Sequence, residues 1–512
     1  MSKINRREFL AATSAVGYQD ARPSRPNILH IQSDQQQWAT LAGRSECRTP
    51  NLDRLGREGM QFERSYTPSA VCCPSRAMTM SGAYHWHNGV YNQVHSAPSL
   101  NRDLKSDVVL YSQRLRDAGY RLGYTGKWHS SWMRTPTDFG YEMANVAGCD
   151  PAALRKHDQN PDRVERPNER LKVTAVREFQ WPGSKPFTMW GYREGPEEAT
   201  PEAYLTECGI RMMKRYAKQA QPWHLEVQYV QPHDPYLPLK KYLDRYDPRS
   251  IAVSPSFKDR FEGKPGLHRR ESGIWGAFNE DDYRAGRAHY YAYTEQLDAQ
   301  IGRLLAALDE TGQAGNTLVV FTSDHGDTVG AHRMWIKGWM PYEECYRVPM
   351  IARWPGRIAP GSRCEHLVQL QDLAHTYAEV GGAKPMPFAD GRSLVPLFED
   401  AARSDWADDI LCAYYGGEFL YTQRIAINRR YKYVFNGFDF DELYDLEKDP
   451  HELRNAVDDP SYRPVAADMQ ARLYDMMNRF DDPYGDRGVQ GSPGQRPDRY
   501  GAARYLPRGA RS

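Results

Sequence analysis

The chain has 512 residues, with 67 lysines and arginines against 66 aspartates and glutamates, a formal net charge of +1. That length exceeds what one small core organises, so two domains are the expectation. The charge balance supplies no global field for nucleic acid or an anionic membrane, and an anionic ligand must be held by a local cluster of cations.

At the start, Asn5-Arg6-Arg7-Glu8-Phe9-Leu10 and the small and apolar residues through Gly17 are similar to a twin-arginine export signal. Residues 1–25 are expected to direct a bacterial protein to the periplasm or outside. The alternative is a basic tail on a cytoplasmic protein. Residues 26–32 read as a first strand ending at Ser33-Asp34. The spacing of Leu52, Leu55 and Met60 predicts an amphipathic helix over 51–61. A second helix over 108–118 leads into a strand at 120–124, and residues 225–230 read as another strand. Leu297, Ile301, Leu304, Leu305 and Leu308 share one face of a helix over 290–311. That helix feeds the apolar run 317–321, a buried parallel strand.

Strands alternating with helices predict an α/β fold. Its large mixed, mostly parallel sheet is flanked by helices, and a catalytic domain spans 26–400. A polar, Pro-rich insertion at about 148–200 is expected to shape a substrate mouth, where Trp181 and Trp190 either stack on sugar rings or pack. Short strands near 424–427, 431–435 and 442–446 and a helix near 465–480 predict a smaller C-terminal α+β domain over 401–483. Residues 484–512, rich in Gly, Pro and Arg, read as an extended tail. The eight scattered cysteines show no zinc spacing and read mostly as buried thiols. No apolar run approaches the ~20 residues that cross a bilayer, so no membrane insertion is expected.

Cys72-Cys73-Pro74-Ser75-Arg76, with Ser81-Gly82 behind it, reads as a helix start. Pro74 suits the first turn, and the free N–H groups there favour an anion. By residue type alone, a structural thiol pair fits the same place. Four strand candidates run into polar groups: Asp34-Gln35, Gly126-Lys127-Trp128-His129, Gln231-Pro232-His233-Asp234 and Ser323-Asp324-His325-Gly326. Open α/β sheets bind ligands at the carboxyl ends of their strands, so these clusters should meet in one crevice beside Cys72.

Cys-x-Pro-Ser-Arg resembles the signature of type I, formylglycine-dependent sulfatases of the alkaline phosphatase superfamily. The other clusters match the family pattern in order, over most of residues 26 to about 455. The resemblance implies an alkaline-phosphatase-like fold and a sulfuric ester hydrolase that makes an alcohol and inorganic sulfate. It implies that a maturation enzyme oxidises Cys72 to formylglycine (3-oxoalanine). It places one divalent metal on Asp34, Gln35, Cys72, Asp324 and His325. Many members carry a second aspartate and an asparagine where this chain has Gln35 and His325. That combination is similar to choline-sulfatase-like and phosphonate-monoester-hydrolase-like branches. Ca²⁺ is the first expectation, with Mn²⁺ or Mg²⁺ as alternatives, because imidazole widens the choice of ion.

The remaining roles follow from the same resemblance. Arg76 and Lys127 position the aldehyde hydrate and neutralise sulfate oxygens. His129 deprotonates the hydrate's second hydroxyl to expel sulfate. His233 and Lys337 stabilise or protonate the departing alcohol, and Asn92 faces the substrate. Tyr342, Glu343 and Glu344 pack. The expected substrate is a sulfated saccharide or other small organic sulfate. A phosphonate monoester or phosphodiester hydrolase, or a non-catalytic binding module, would use the same scaffold.

Overall fold

A computed structural model describes residues 25–485 except 42, 97–98, 158–159, 166–170, 181–183, 338–339, 417–420 and 438. The expected export signal, Trp181 and the tail beyond residue 485 lie outside the described residues.

In chain order the strands begin β1 (Asn27–Asp34), β2 (Met60–Tyr66), β3 (Arg121–Lys127), β4 (Glu142–Ala147), β5 (Lys172–Phe179), β6 (Phe187–Glu194) and β7 (Trp223–Pro232). Next come β8 (Thr317–Ser323), β9 (Met350–Arg353) and β10 (Ser362–Gln369), then β11 (Asp409–Tyr414), β12 (Gln423–Asn428), β13 (Tyr431–Asn436) and β14 (Glu442–Asp445). The large sheet has the order β10-β2-β9-β8-β1-β7-β3-β4. Every neighbouring pair is parallel except those made by β9, which runs antiparallel to β2 and β8.

The central strands are buried on both faces: β8 reads as an apolar run, whereas β1 and β7 interleave apolar residues with buried His30, His224 and Glu226. Ile28, Leu318 and Val320 face one layer, containing Tyr111 and Leu115 of the helix Tyr111–Asp117 and Leu373 and Tyr377 of Asp372–Val380. Leu29, Ile31, Val227, Val319 and Phe321 face the other, against Leu205 and Met212 of Pro201–Tyr216 and the long helix Glu280–Glu310. Each such large side chain is worth about 1.5–3 kcal/mol of transfer free energy.

The long helix starts ten residues before the expected position. Asn279 caps it, accepting from the N–H groups of Asp281 and Asp282, so its first turn is acidic and escapes an apolar-spacing reading. Met60 does not continue the helix Pro50–Glu58 but opens β2. Gly59 lets the chain turn there: a Cβ would lie 2.2 Å from the Ala352 carbonyl oxygen on β9.

Within residues 148–200, Arg193 lines the cleft beside Lys127 and His233, while Trp190 packs instead of stacking on a ligand. Strands β5 and β6 form a hairpin in which Trp190 is buried, with its ring centroid 5.0 Å from that of Trp335. Trp190 is a core residue, because Phe278, Tyr290 and Met334 close around it.

A buried carboxylate ties β1 to β7. Glu226 pairs with His30 Nδ1 at 3.0 Å and His224 Nε2 at 2.9 Å. Burial pushes its carboxyl up, but His30 and His224 outweigh it and hold it well below the ordinary range. A depressed carboxyl contributes stability above its unfolded value of about 4.3, and that contribution is lost as pH falls further. Glu226→Gln should therefore lower Tm at neutral pH, with the gap from wild type narrowing between about pH 5 and about pH 3. Thermal denaturation by circular dichroism checks this; a constant gap would mean that the carboxylate's charge is not what stabilises.

Strands β11 to β14 form an antiparallel sheet backed by the helix Arg463–Arg479. Its Met469, Leu473 and Met477 share a core with Met78, Tyr84 and Trp86, at and just after the end of the helix Cys72–Ser81. This second sheet thus buttresses the helix that carries Cys72.

Candidate active site

Strands β8, β1, β7 and β3 are consecutive in the sheet and parallel, so their carboxyl ends open on one edge. Asp34 ends β1, Lys127 ends β3, and Asp324 with His325 and His233 directly follow β8 and β7. The helix Cys72–Ser81 starts at that edge from the extended Val71. Ser75 pins it, donating through Oγ to the Asp324 carbonyl at 2.6 Å. The four polar strand ends do meet beside Cys72.

Asp34 and Asp324 each divide their two oxygens between two tasks. Asp34 Oδ2 accepts from Lys127 Nζ at 2.5 Å and Arg76 Nη2 at 3.0 Å. Asp324 Oδ2 accepts from Arg76 Nε at 2.8 Å. The Oδ1 atoms turn inward. Asp34 Oδ1 lies 3.9 Å from Cys72 Sγ, and the two Oδ1 atoms lie 3.8 and 3.6 Å from His325 Nε2. His325 Nδ1 sits 2.8 Å from the Gly326 carbonyl, which fixes its N–H there and leaves Nε2, 3.2 Å from Cys72 Sγ, as the lone-pair atom. Burial and the Cys72 thiol push the Asp34 carboxyl up, but Lys127, His233 and Arg76 hold it far below the usual carboxylate value. Burial raises Asp324 despite Arg76, and the Asp34 carboxylate adds to the rise.

A second group lies across Cys72. Lys337 Nζ donates to Gln35 Oε1 at 2.8 Å and to His233 Nε2. His233 Nδ1 is 2.7 Å from the Asp234 carbonyl, so Nδ1 carries the proton and Nε2 accepts. Burial pushes the Lys337 ammonium down, yet Cys72, Asp234 and Asp34 together drive it up and keep it charged. His129 stands in left-handed backbone (φ 52°), tied through its N–H to the Gly148 carbonyl at 3.2 Å. Burial and Lys127 press its pKa down to about 3, so the imidazole is neutral and able to take a proton. Burial opposes ionisation of Cys72, but Lys127, Lys337 and His325 bring its thiol well below the ordinary value.

Gly126 sets the approach of β3. Its φ is +99°, and a Cβ would lie 1.9 Å from the Gln228 carbonyl oxygen on β7. Gly126→Ala combines backbone strain with a clash against main chain, and should cost about 3 kcal/mol or more. Denaturant unfolding checks it; a cost within the ordinary surface range would mean β3 and β7 separate freely.

Three expected roles change on the geometry. Arg76 does not face a ligand: its donors are spent on Asp34, Asp324, Gln228 Oε1 (2.7 Å) and the Lys127 carbonyl (3.2 Å). It aligns the two carboxylates, and Lys127 and Lys337 are the ammonium groups that act on Cys72. Asn92 is fully buried, and its Oδ1 accepts from the Leu100 N–H at 3.0 Å, which shapes a loop. The next residue, Gln93, reaches Cys72 instead, with Nε2 3.9 Å from its Sγ. Gln35 sits at the site, but its amide is shared between Lys337, Asp234 Oδ1 at 3.0 Å and Asp327 Oδ2 at 2.6 Å. Asp327 also accepts from Tyr236 at 2.6 Å and so anchors Gln35. Tyr342 is buried, and its hydroxyl lies 2.6 Å from His268 Nδ1, a packing role.

The donor set fits a divalent cation. One atom each from Asp34, Cys72, Asp324 and His325 falls within 4.8 Å of the others, all buried. The two Oδ1 atoms, the His325 Nε2 lone pair and the Cys72 sulfur converge as donors that such an ion would take. The sulfur stands where the oxygens of an oxidised residue 72 would be.

Residues 26–383 match the sulfatase family model, and residues 330–479 match the C-terminal model of N-sulphoglucosamine sulphohydrolase. A choline-sulfatase of Rhizobium meliloti (strain 1021) is 29% identical over 472 residues, covering 88% of this chain and 87% of the relative. Among solved structures, the phosphonate monoester hydrolase of Agrobacterium radiobacter superposes with a TM-score of 0.72 at 23% identity, over 89% of this chain and 96% of that one. A protein solved with its substrate D-glucosamine-2-N,6-O-disulfate gives a TM-score of 0.69 at 19% identity, over 91% and 100%. At these identities the two structures establish the shared fold. The family match spans the helix that carries Cys72 and all four strand ends, so the chain belongs to the sulfatase family and is a sulfuric ester hydrolase.

Proposed function

We propose that this hydrolase works through a formylglycine made from Cys72 and one divalent cation, Ca²⁺ first, on a sulfated saccharide or other small organic sulfate. The observation that carries the reading is the convergence of both Oδ1 atoms and His325 Nε2 on Cys72, with Lys127 and Lys337 nearby. The cation, when bound, adds positive charge against the sulfate and the nucleophilic oxygen. Asp34, Asp324 and His325 would hold it. The His325 nitrogen leaves Mn²⁺ or Mg²⁺ as alternatives.

The chain's own groups do the rest. Lys127 and Lys337 bind sulfate oxygens and set the ester in line with residue 72. As the S–O bond to the alcohol breaks, negative charge grows on the departing oxygen. Lys337 stabilises or protonates that oxygen, and His233 Nε2, which accepts from Lys337, steers the ammonium toward it. His129, neutral and beside residue 72, then takes a proton from the residue 72 hydroxyl, which releases sulfate. The cleft next to Lys127 and His233 is about 220 Å³ and is also lined by Asn145, Arg193, Tyr204 and Tyr293. Those groups suit a hydroxyl-bearing leaving group. Residues 1–25 are read as an export signal, which cell fractionation would test.

If Lys337 serves the leaving group, its loss should hurt most where that group is poor. Lys337→Ala should lose about 10²–10⁴-fold on an alkyl sulfate, the usual range for acid catalysis, and clearly less on nitrophenyl sulfate. Equal losses on both would make it a sulfate-holding residue. A panel of sulfate, phosphate and phosphonate esters with fully modified enzyme tests the reaction class. Sulfate esters should be the fastest substrates; preferred cleavage of phosphonate monoesters would overturn the assignment.

A further inference from the structure

Next to the hard-cation donor set lies a second, chemically different cluster. Cys73, His95 and His129 each present one ligand atom within 4.8 Å of the other two. Cys73 Sγ is 3.8 Å from His95 Nδ1. The His95 and His129 rings lie 4.7 Å apart between centroids, and His129 Nδ1 is buried without a hydrogen-bond partner. Cys73 is fully buried, whereas His95 is exposed and gives the cluster a path from solvent.

We propose that Cys73, His95 and His129 form a binding site for a borderline, thiol-seeking divalent cation such as Zn²⁺, separate from the oxygen-rich site. Zn²⁺ takes sulfur at about 2.3 Å and imidazole nitrogen at about 2.0–2.1 Å in tetrahedral geometry, which sets an S···N edge of about 3.6 Å. The Cys73–His95 separation is already close to that edge. Three protein ligands leave a fourth position for water. Binding breaks the Cys73 S–H bond, forms a sulfur–metal bond and sends the proton to solvent, with no change of oxidation state. Hard ions such as Ca²⁺ prefer oxygen and would leave this thiol–imidazole set alone.

Filling the site occupies a His129 ring nitrogen, and the consequence is inhibition by Zn²⁺ of an enzyme already loaded with its own cation. The site stands on geometry; only the inhibition rests on the role proposed for His129. Neither Cys73 nor His95 belongs to the catalytic set, so Cys73→Ser and His95→Ala should keep basal turnover.

The test adds Co²⁺ to the full-length, Ca²⁺-loaded enzyme with residue 72 oxidised, and follows the near-ultraviolet thiolate-to-cobalt band. Wild type should develop the band at one equivalent, and Zn²⁺ should displace it. Cys73→Ser should lack it. His95→Ala, at an exposed position that leaves folding intact, should bind at least about 10–100-fold more weakly, since even outer-shell losses cost that much. No band in wild type, or a band that survives Cys73→Ser, would overturn the site. Zn²⁺ should also inhibit wild type at concentrations that spare both variants, and equal inhibition of all three would place the inhibitory ion in the oxygen-rich site. A band displaced by Zn²⁺ with turnover untouched would support the metal site and count against the role given to His129.

Discussion

Cys72→Ala should lose sulfate ester turnover on the order of 10⁶-fold, the scale on which removing a nucleophile acts, while the fold survives. The position is the first residue of its helix, and Ser75, one turn on, keeps its bond to the Asp324 carbonyl whatever stands at 72. Alanine also favours a helix over cysteine. The neighbouring thiol offers a control. Cys73 is buried too, but burial and the adjacent Cys72 push its thiol up, and its contact is with His95. Cys73→Ala should therefore retain turnover. Steady-state kinetics with an alkyl sulfate and thermal unfolding on the same preparations separate loss of chemistry from loss of fold. Turnover that survives in Cys72→Ala would remove residue 72 from the mechanism.

The second large effect concerns the paired carboxylates. Asp34→Asn and Asp324→Asn should each cut turnover by about 10³-fold or more, as several kcal/mol of charge stabilisation would depend on the ion proposed to sit on them. They should differ in stability. Asp34 Oδ2 neutralises both Lys127 and Arg76, whereas Asp324 Oδ2 pairs with Arg76 alone. Leaving buried cations uncompensated costs about 3–5 kcal/mol, so Asp34→Asn should be the less stable variant. A chelator should inactivate the wild type, and added Ca²⁺ or Mn²⁺ should restore it. Metal analysis with calorimetry checks both halves. Full activity in metal-free protein, or equal stability of the two variants, would contradict this division of labour.

Much of the site was legible because the fold displays it at strand ends. β8 reads as an apolar run and β1 and β7 as apolar residues interleaved with polar ones, and the polar residues that end each strand are the ones the sheet gathers at one edge. Less visible were strands whose partners lie far away in sequence. β9 has four residues and inserts antiparallel between β2 and β8, a placement that no local pattern encodes. β2 carries Gln61 and Arg64 among its apolar residues, which blurs its alternation. The direction in which a side chain points was also hidden. The motif brings Arg76 into the site, but only the structure has it facing the carboxylates. Gln93 and His95 sit on an irregular loop with no periodicity to mark them. Asp327 had a signal, since it follows Asp324 by three residues in the same turn. Trp190 read equally well as a stacking platform or core, and only its closeness to Trp335 decides for packing.

The central claim, that an oxidised Cys72 performs the hydrolysis, meets its most direct test in mass spectrometry of the peptide containing Cys72-Cys73-Pro74-Ser75-Arg76. The protein would be produced with and without a formylglycine-generating enzyme, and turnover measured on each preparation. The account predicts a peptide lighter by the exchange of one thiol for an aldehyde at residue 72, an unchanged Cys73, and turnover proportional to the converted fraction. Full turnover from protein whose Cys72 is entirely unmodified would contradict it.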